Sequence, residues 1–228
     1  MSKGNTFENE LLALIFNNTD IADIGDAAGL QNSATAGNLY VSLHTADPGE
    51  GGNQTTSEAN YTSYARVAVA RSSGGWTVSG SSVSNTSAIV FPQATGGSNT
   101  ITHVGIGTAS SGTGKLLFKA PLGTAVQGPF TAKTDDTITI PGHTLAVDDR
   151  VAFYPAAGSS LPTGITEGTL YWVKTVSSAD ITISTTQGGA TLDITAIGDG
   201  LAFKAMTLAV SSPIAPQFIA GELQITED

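Results

Sequence analysis

Near the start of the chain, Phe7, Leu11, Leu14 and Ile15 recur at i, i+4, i+7 and i+8, the spacing of one face of a helix. Asn5 stands where an N-cap belongs, with Glu8 three residues on in capping-box spacing, and Asn17-Asn18 closes the segment. A second, short helix is expected over 21–28. From residue 38 the period changes to two. The stretches 39–43 (LYVSL), 66–71 (RVAVAR), 76–78 (WTV), 87–91 (SAIVF), 101–107 (ITHVGIG) and 115–120 (KLLFKA) read as strands. They are separated by Asp47-Pro48-Gly49, Gly51-Gly52, Gly74-Gly75 and the loop 108–114. Short strands at such regular spacing, with turn residues between them, predict an all-β sandwich or barrel behind an N-terminal helix.

A second texture runs from about 128 to 200. Strands are expected at 137–140, 150–154, 170–176, 180–186 and 191–196, with turns at Pro141-Gly142, 161–164 and Gly188-Gly189. The strings flanking this region resemble each other: Leu117-Phe118-Lys119-Ala120 before it, Ala202-Phe203-Lys204-Ala205 after it. The expected organisation is a main β-domain of residues 1–127 and 201–228, with a smaller β-module of 128–200 inserted at an exposed hairpin, where insertions are tolerated.

Composition narrows the class. Charged residues make up only 12% of the 228, while 40% are apolar and 27 are glycine. A chain low in charge and adequate in apolar residues is not disordered; Ser, Thr, Asn and Gly supply its polarity, as suits many short strands and tight turns. The net charge is −10, with 19 acidic and 9 basic residues, and the basic ones are scattered. Nucleic-acid binding requires cations along the phosphate backbone, so none is expected. With no cysteine, disulfides and thiolate metal sites are excluded. No apolar signal core follows Met-Ser-Lys-Gly-Asn, and no run approaches the length of a membrane span. The expectation is a product of the host cytoplasm that contacts no membrane.

The residue types of reactive sites occur without the spacing such sites require. Gly112-Thr113-Gly114-Lys115 resembles the end of a phosphate loop, but Ala109 and Leu116 stand where glycine and a hydroxyl residue are required, and the string lies between strands. A hairpin turn is the reading. His44, His103 and His143 lack metal-ligand spacing, and no Gly-x-Ser-x-Gly elbow occurs. Asp47, Glu50 and Glu58 cluster in sequence, but in a glycine-rich turn rather than across a sugar site. Asp135-Asp136 and Asp148-Asp149 do not match calcium-loop spacing. Neither an enzyme nor a cofactor is expected. Trp76 and Trp172 alternate within strands and are read as core.

Several strings carry a resemblance. Residues 38–52 (NLYVSLHTADPGEGG), 53–70 (NQTTSEANYTSYARVAVA), Trp76-Thr77-Val78 and 101–108 (ITHVGIGT), in that order, resemble a family of tailed-phage structural proteins known as tail-fibre or virion structural proteins. The resemblance covers about 7–120 and resumes at 211–228. Residues 128–200 are similar to a module common in phage particle proteins, through His143, Leu145, Asp149-Arg150-Val151, the stretch 161–171 and Gly188-Gly189-Ala190. The resemblance implies a virion component and supplies no catalytic residue.

Three functions remain in view. A capsid decoration (cement) protein would clamp the major capsid protein; small size and the lack of heptad or fibre repeats favour it. A tail, baseplate or fibre-associated protein would bind other virion proteins. A carbohydrate-binding module for host attachment is the third. The candidate partner-binding residues are Phe7, Leu11, Leu14 and Ile15, whose stripe needs a cover, either a partner or the chain's own β-domain, and His44, Asp47 and Glu50 in the long turn-rich loop. Strand 39–43 is expected to offer a pairing edge to a neighbour. A closed homo-oligomer is expected, a trimer by analogy.

Overall fold

A computed structural model describes residues 3–25 and 28–226. The chain divides into two compact units, Met1–Ala120 with Leu208–Asp228, and Pro121–Thr207. The fold is all-β apart from the N-terminal helix.

That helix, α1, spans Asn5–Asn17. Gly4 holds the N-cap position, so Asn5 begins the helix instead of capping it, and no side chain makes a cap bond. At the other end Asn18 takes the left-handed conformation (φ 55°) and its N–H donates to the Ala13 carbonyl. The buried face is Glu8, Leu12 and Phe16, rotated from the expected stripe: Phe7 is 37% exposed, and Leu11, Leu14 and Ile15 are half-buried. Residues 11–16 (LLALIF) are apolar all round, so the face is chosen by what it meets. Phe16 lies edge-on to Trp76 at 4.8 Å and tilted against Phe118 at 5.4 Å. Arg71 fastens the last turn, donating to the carbonyls of Leu14 and Ile15, both at 2.7 Å. No second helix forms over the described part of 21–28. Residues 22–25 turn, and Ile21 pairs with Leu30 in an antiparallel bridge; Asp26 and Ala27 lie outside the described residues.

In the first unit the strands before the interruption are β1 (Asn38–His44), β2 (Val67–Ala70), β3 (Trp76–Ser79), β4 (Ser82–Asn85), β5 (Ile89–Val90), β6 (Ser98–Ile101), β7 (His103–Gly107) and β8 (Leu116–Pro121). A four-stranded sheet has the order β2-β1-β7-β8. Strand 39–43, expected at an edge, is therefore interior, paired on both sides by β2 and β7. Its backbone groups are already satisfied and offer nothing to a neighbour.

The second unit is a barrel of β9 (Thr124–Ala132), β10 (Ile138–Thr139), β11 (Arg150–Tyr154), β12 (Tyr171–Ser177), β13 (Asp180–Ser184) and β14 (Gly198–Ala205). They close in the order β10-β13-β12-β11-β14-β9, every pairing antiparallel, which leaves no free strand edge. Its core includes Phe130, Ile138, Val151, Phe153, Val173, Ile181 and Ile183. The unit begins at 121 and ends at 207, instead of 128 and 200, because the eight-pair ladder between β9 and β14 closes the barrel. The string Ala202–Ala205 is consequently barrel strand and not the return of the main domain. Stretch 191–196 forms no strand, although Leu192 donates to the Ile183 carbonyl at 2.8 Å and Ile194 is buried. The two tryptophans part company: Trp76 is core, whereas Trp172 is only half-buried, with the Arg150 guanidinium 5.3 Å from its ring centre.

The chain then returns to the first unit as β15 (Leu208–Ser211), β16 (Gln217–Phe218) and β17 (Gln224–Thr226). These pair antiparallel with β6, β5 and β4 in turn, so the tail retraces residues 82–101 backwards in almost constant register.

Candidate functional site

The long loop after β1 is held down on one face of the four-stranded sheet by a dense set of hydrogen bonds. The sequence of β7, HVGIG, sets this up. Val104 and Ile106 point to one face; His103, Gly105 and Gly107 share the other with Ser42 and His44 of β1, directly opposite them in the ladder. Glycine at alternate positions leaves a trough there. Into it fit polar side chains that would otherwise not be buried.

Gln54 is fully buried. Its Oε1 accepts from Ala109 N–H at 2.9 Å, and its backbone N–H donates to the Gly114 carbonyl at 3.2 Å. A Cβ on Gly107 would stand 2.2 Å from its Cδ. His44 is also fully buried: Nδ1 donates to the Thr56 carbonyl at 2.9 Å, Nε2 lies 2.8 Å from the Ser42 hydroxyl, and burial favours the neutral ring. Gly105 makes room for this pair, since a Cβ there would lie 2.6 Å from His44 Nε2 and 2.8 Å from Ser42 Oγ. Gly105→Ala is expected to cost about 1–3 kcal/mol through overpacking, read as a lower urea midpoint; an unchanged midpoint would mean that the trough yields.

Glu58 and Arg66 complete the attachment. The pair is bidentate, Nε to Oε1 at 2.6 Å and Nη2 to Oε2 at 2.8 Å. Tyr64 donates its hydroxyl to Glu58 Oε1 at 3.0 Å and accepts from Leu43 N–H at 3.0 Å; burial pushes the phenol well above its ordinary range. Arg66 also donates to the carbonyls of Ala109 (2.9 Å) and Gly112 (2.7 Å) at the tip of the β7–β8 hairpin, the string that resembles a phosphate loop. The bond to Glu58 raises the Arg66 pKa against the effect of burial. One guanidinium thus ties the loop, the start of β2 and the hairpin together.

At the loop's outer end Asp47 accepts from Gly49 N–H at 2.9 Å, the turn its Asp-Pro-Gly sequence predicts. Lys119 of β8 reaches Asp47 at 3.0 Å and Glu50 at 3.1 Å. Burial raises the Asp47 pKa, but the Gly49 N–H and Lys119 outweigh it and hold the carboxyl below its usual range. These are surface ion pairs, Glu50 being 95% exposed, so they orient the loop more than they stabilise it.

Of the seven residues expected to bind partners, Asp47 and Glu50 meet through Lys119, and His44 lies in the trough. The four helix residues belong to a different place, where α1 packs on β3 and β4. Sequence reasoning missed Gln54, Tyr64, Arg66 and Lys119, and read Glu58 as part of a glycine-rich turn. The available signal was the glycine alternation in β7, which marks a strand face reserved for something large.

The polar side chains of this arrangement bond to one another and to loop carbonyls. Ser42 and His44 are at hydrogen-bond distance, yet both are fully buried, and the group orienting the imidazole is a backbone carbonyl instead of a carboxylate. His103 is buried with Nδ1 at 2.8 Å from Thr102 Oγ1. Among the described residues no three His, Asp or Glu side chains are grouped to hold a metal ion, and no helix is long and apolar enough to cross a membrane.

Burial of His44 is expected to make the unit acid-sensitive. Burial lowers its pKa; the Thr56 carbonyl and the carboxylates of Glu58 and Asp47 push back only in part, and Arg66 adds to the lowering. The unfolded chain therefore takes up the proton first, at about pH 6.5, and stability falls as pH drops below that value toward the folded pKa. The expected result is a urea midpoint that declines between pH 7 and 5, with a shallower decline in His44→Gln. Parallel curves for the two proteins would show that His44 does not carry the effect.

A comparison with curated proteins gives no match. The profile of one known family, podophage GP4 fiber I protein gp80, matches residues 3–148. That span takes in α1, the whole trough with its loop, and the first two barrel strands. It covers more than half of the 228 residues, and with it the chain belongs to the podophage GP4 fiber I protein gp80 family, a family of phage virion structural proteins.

Proposed function

We propose that this protein is a non-catalytic component of the tail fibre apparatus, attached to other virion proteins through the first unit. The family match carries the reading, because it spans the loop-bearing sheet in full. The chemistry of that sheet supports attachment over turnover: its polar side chains are spent on one another and on loop carbonyls, and the one serine–histidine pair is closed to solvent. A strapped loop presents a fixed surface, which suits repeated docking at low entropic cost.

A place on the capsid lattice, clamping the major capsid protein, is the competing reading. It rests on the small size of the chain and the lack of heptad or fibre repeats. Copy number separates the two. Quantitative mass spectrometry of washed particles, scaled to the major capsid protein, should find a handful of copies, with antibody label at the tail. Hundreds of copies distributed over the head would replace the fibre reading with the capsid one.

A further inference from the structure

Two strands of the first unit end their sheets. β8 is the last strand of the order β2-β1-β7-β8, and β17 is the end strand of β17-β4-β3. Among the described residues no strand pairs with the outer edge of either. Both line one cleft of about 240 Å³. Phe118, Lys119 and Ala120 of β8 border it in succession, as do Leu223 and the three residues of β17. Side chains alternate between the faces of a strand, so consecutive residues share a cleft that runs along the strand's edge. Val104, Ile106, Phe118, Leu223 and Ile225 make this cleft apolar.

The loop side of β8 is polar. A second cleft, of about 270 Å³, is lined there by residues 116–119 and by Gly49, Glu50 and Gly52 of the strapped loop. Glu50 is 95% exposed, with Lys119 at 3.1 Å. An extended segment laid along β8 would therefore meet apolar side chains on one face and a carboxylate on the other. A β-strand satisfies that alternation, because its successive side chains point to opposite faces.

We propose that the edge of β8 takes an extended segment of another virion protein as an added strand. Its alternate apolar side chains enter the cleft beside β17, and basic ones face Glu50. The proposal rests on attachment through the first unit and names the chemistry of what that unit attaches to. The open edge supplies main-chain bonds, and the two clefts select the side chains. Two observations assign the segment to a different protein. Among the described residues every strand of this chain already stands in a ladder, so a second copy has none to give. A net charge of −10 also sets copies against one another and favours a basic partner. The pairing edge expected at strand 39–43 is thus offered by β8 instead.

Fluorescence anisotropy of the purified full chain tests this with a labelled peptide alternating valine and lysine, about eight residues long and roughly 27 Å when extended. It should bind at least ten-fold more tightly than a peptide of the same composition, and so the same charge, whose valines are contiguous. Ala120→Trp or Gln224→Trp, at exposed positions lining the apolar cleft, should fill it and abolish that preference while leaving the circular dichroism spectrum unchanged. Glu50→Gln should weaken the alternating peptide by about three-fold, as loss of an exposed ion pair does. Val176→Glu, at an exposed position of the barrel, should behave as wild type. Equal binding of the two peptides, or a preference that survives both tryptophan variants, overturns the proposal. So does a wild-type dimer that the alternating peptide splits, which would give the cleft to a second copy. In washed particles Ala120→Trp should be lost and the wild type retained. Retention of both refutes the added strand and leaves attachment standing, whereas absence of the wild type removes the attachment reading and this proposal with it.

Discussion

Arg66→Leu should destabilise the first unit by about 3–5 kcal/mol, the usual cost of removing one partner from a buried ion pair. The Arg66 side chain is 2% exposed and that of Glu58 16%, so water cannot replace the lost guanidinium. The Glu58 carboxylate keeps the Tyr64 hydroxyl but loses both bonds from the guanidinium, and the carbonyls of Ala109 and Gly112 lose theirs. At about 2–4 °C per kcal/mol for a chain of this size, the transition of the unit should move down by about 10 °C. Trp76, fully buried beside Phe16, reports it once Trp172 is changed to Phe. Glu58→Leu combined with Arg66→Leu should recover part of the loss, since no orphaned charge then remains. A single mutant that melts with the wild type would mean that Arg66 contributes nothing net, and the loop would have to be held by Gln54 and His44 alone.

The second large effect is expected inside the barrel. Phe153 is fully buried, with Phe130 edge-on at 4.9 Å and Tyr171 at 6.3 Å. Phe153→Ala removes most of a ring from the middle of a closed barrel whose strands cannot collapse inward without breaking a ladder. A loss of about 3–5 kcal/mol follows from transfer and cavity together. The reporter is Trp172, read with Trp76 changed to Phe, and Phe153→Leu should retain more than half of the stability. An alanine variant within about 1 kcal/mol of wild type would show that the barrel relaxes around the hole.

Much of this architecture is legible in the chain, and the failures have physical causes. Strands with alternating Val, Ile or aromatic residues, such as β1, β2 and β11, declare themselves by period. β4 is SVSN, with one apolar residue, and becomes a strand because β3 and β17 flank it. β9 and β14 contain Gly128-Pro129 and Gly198-Asp199-Gly200, punctuation that reads as linker; mutual pairing overrides it. The rotation of α1 was hidden by its all-apolar second half, and contacts with Trp76 and Phe118 decide which side is buried. For the site, turn chemistry located the loop, but nothing local announces that Glu58 and Arg66 meet, or that Lys119 reaches Asp47 across 72 positions of sequence. Such contacts are products of the sheet order, and a one-dimensional pattern does not contain them.

The retracing tail constrains how the protein is made. During synthesis a nascent chain has all six barrel strands outside the ribosome before residues 208–226 leave the exit tunnel, so the barrel is able to fold first. Until then β4 has β3 on one side alone, β5 and β6 await their partners, and the trough-bearing unit stays incomplete through the translation of 87 intervening residues (121–207). A stop codon near position 207 should therefore yield a folded barrel on an unfinished, chaperone-dependent neighbour.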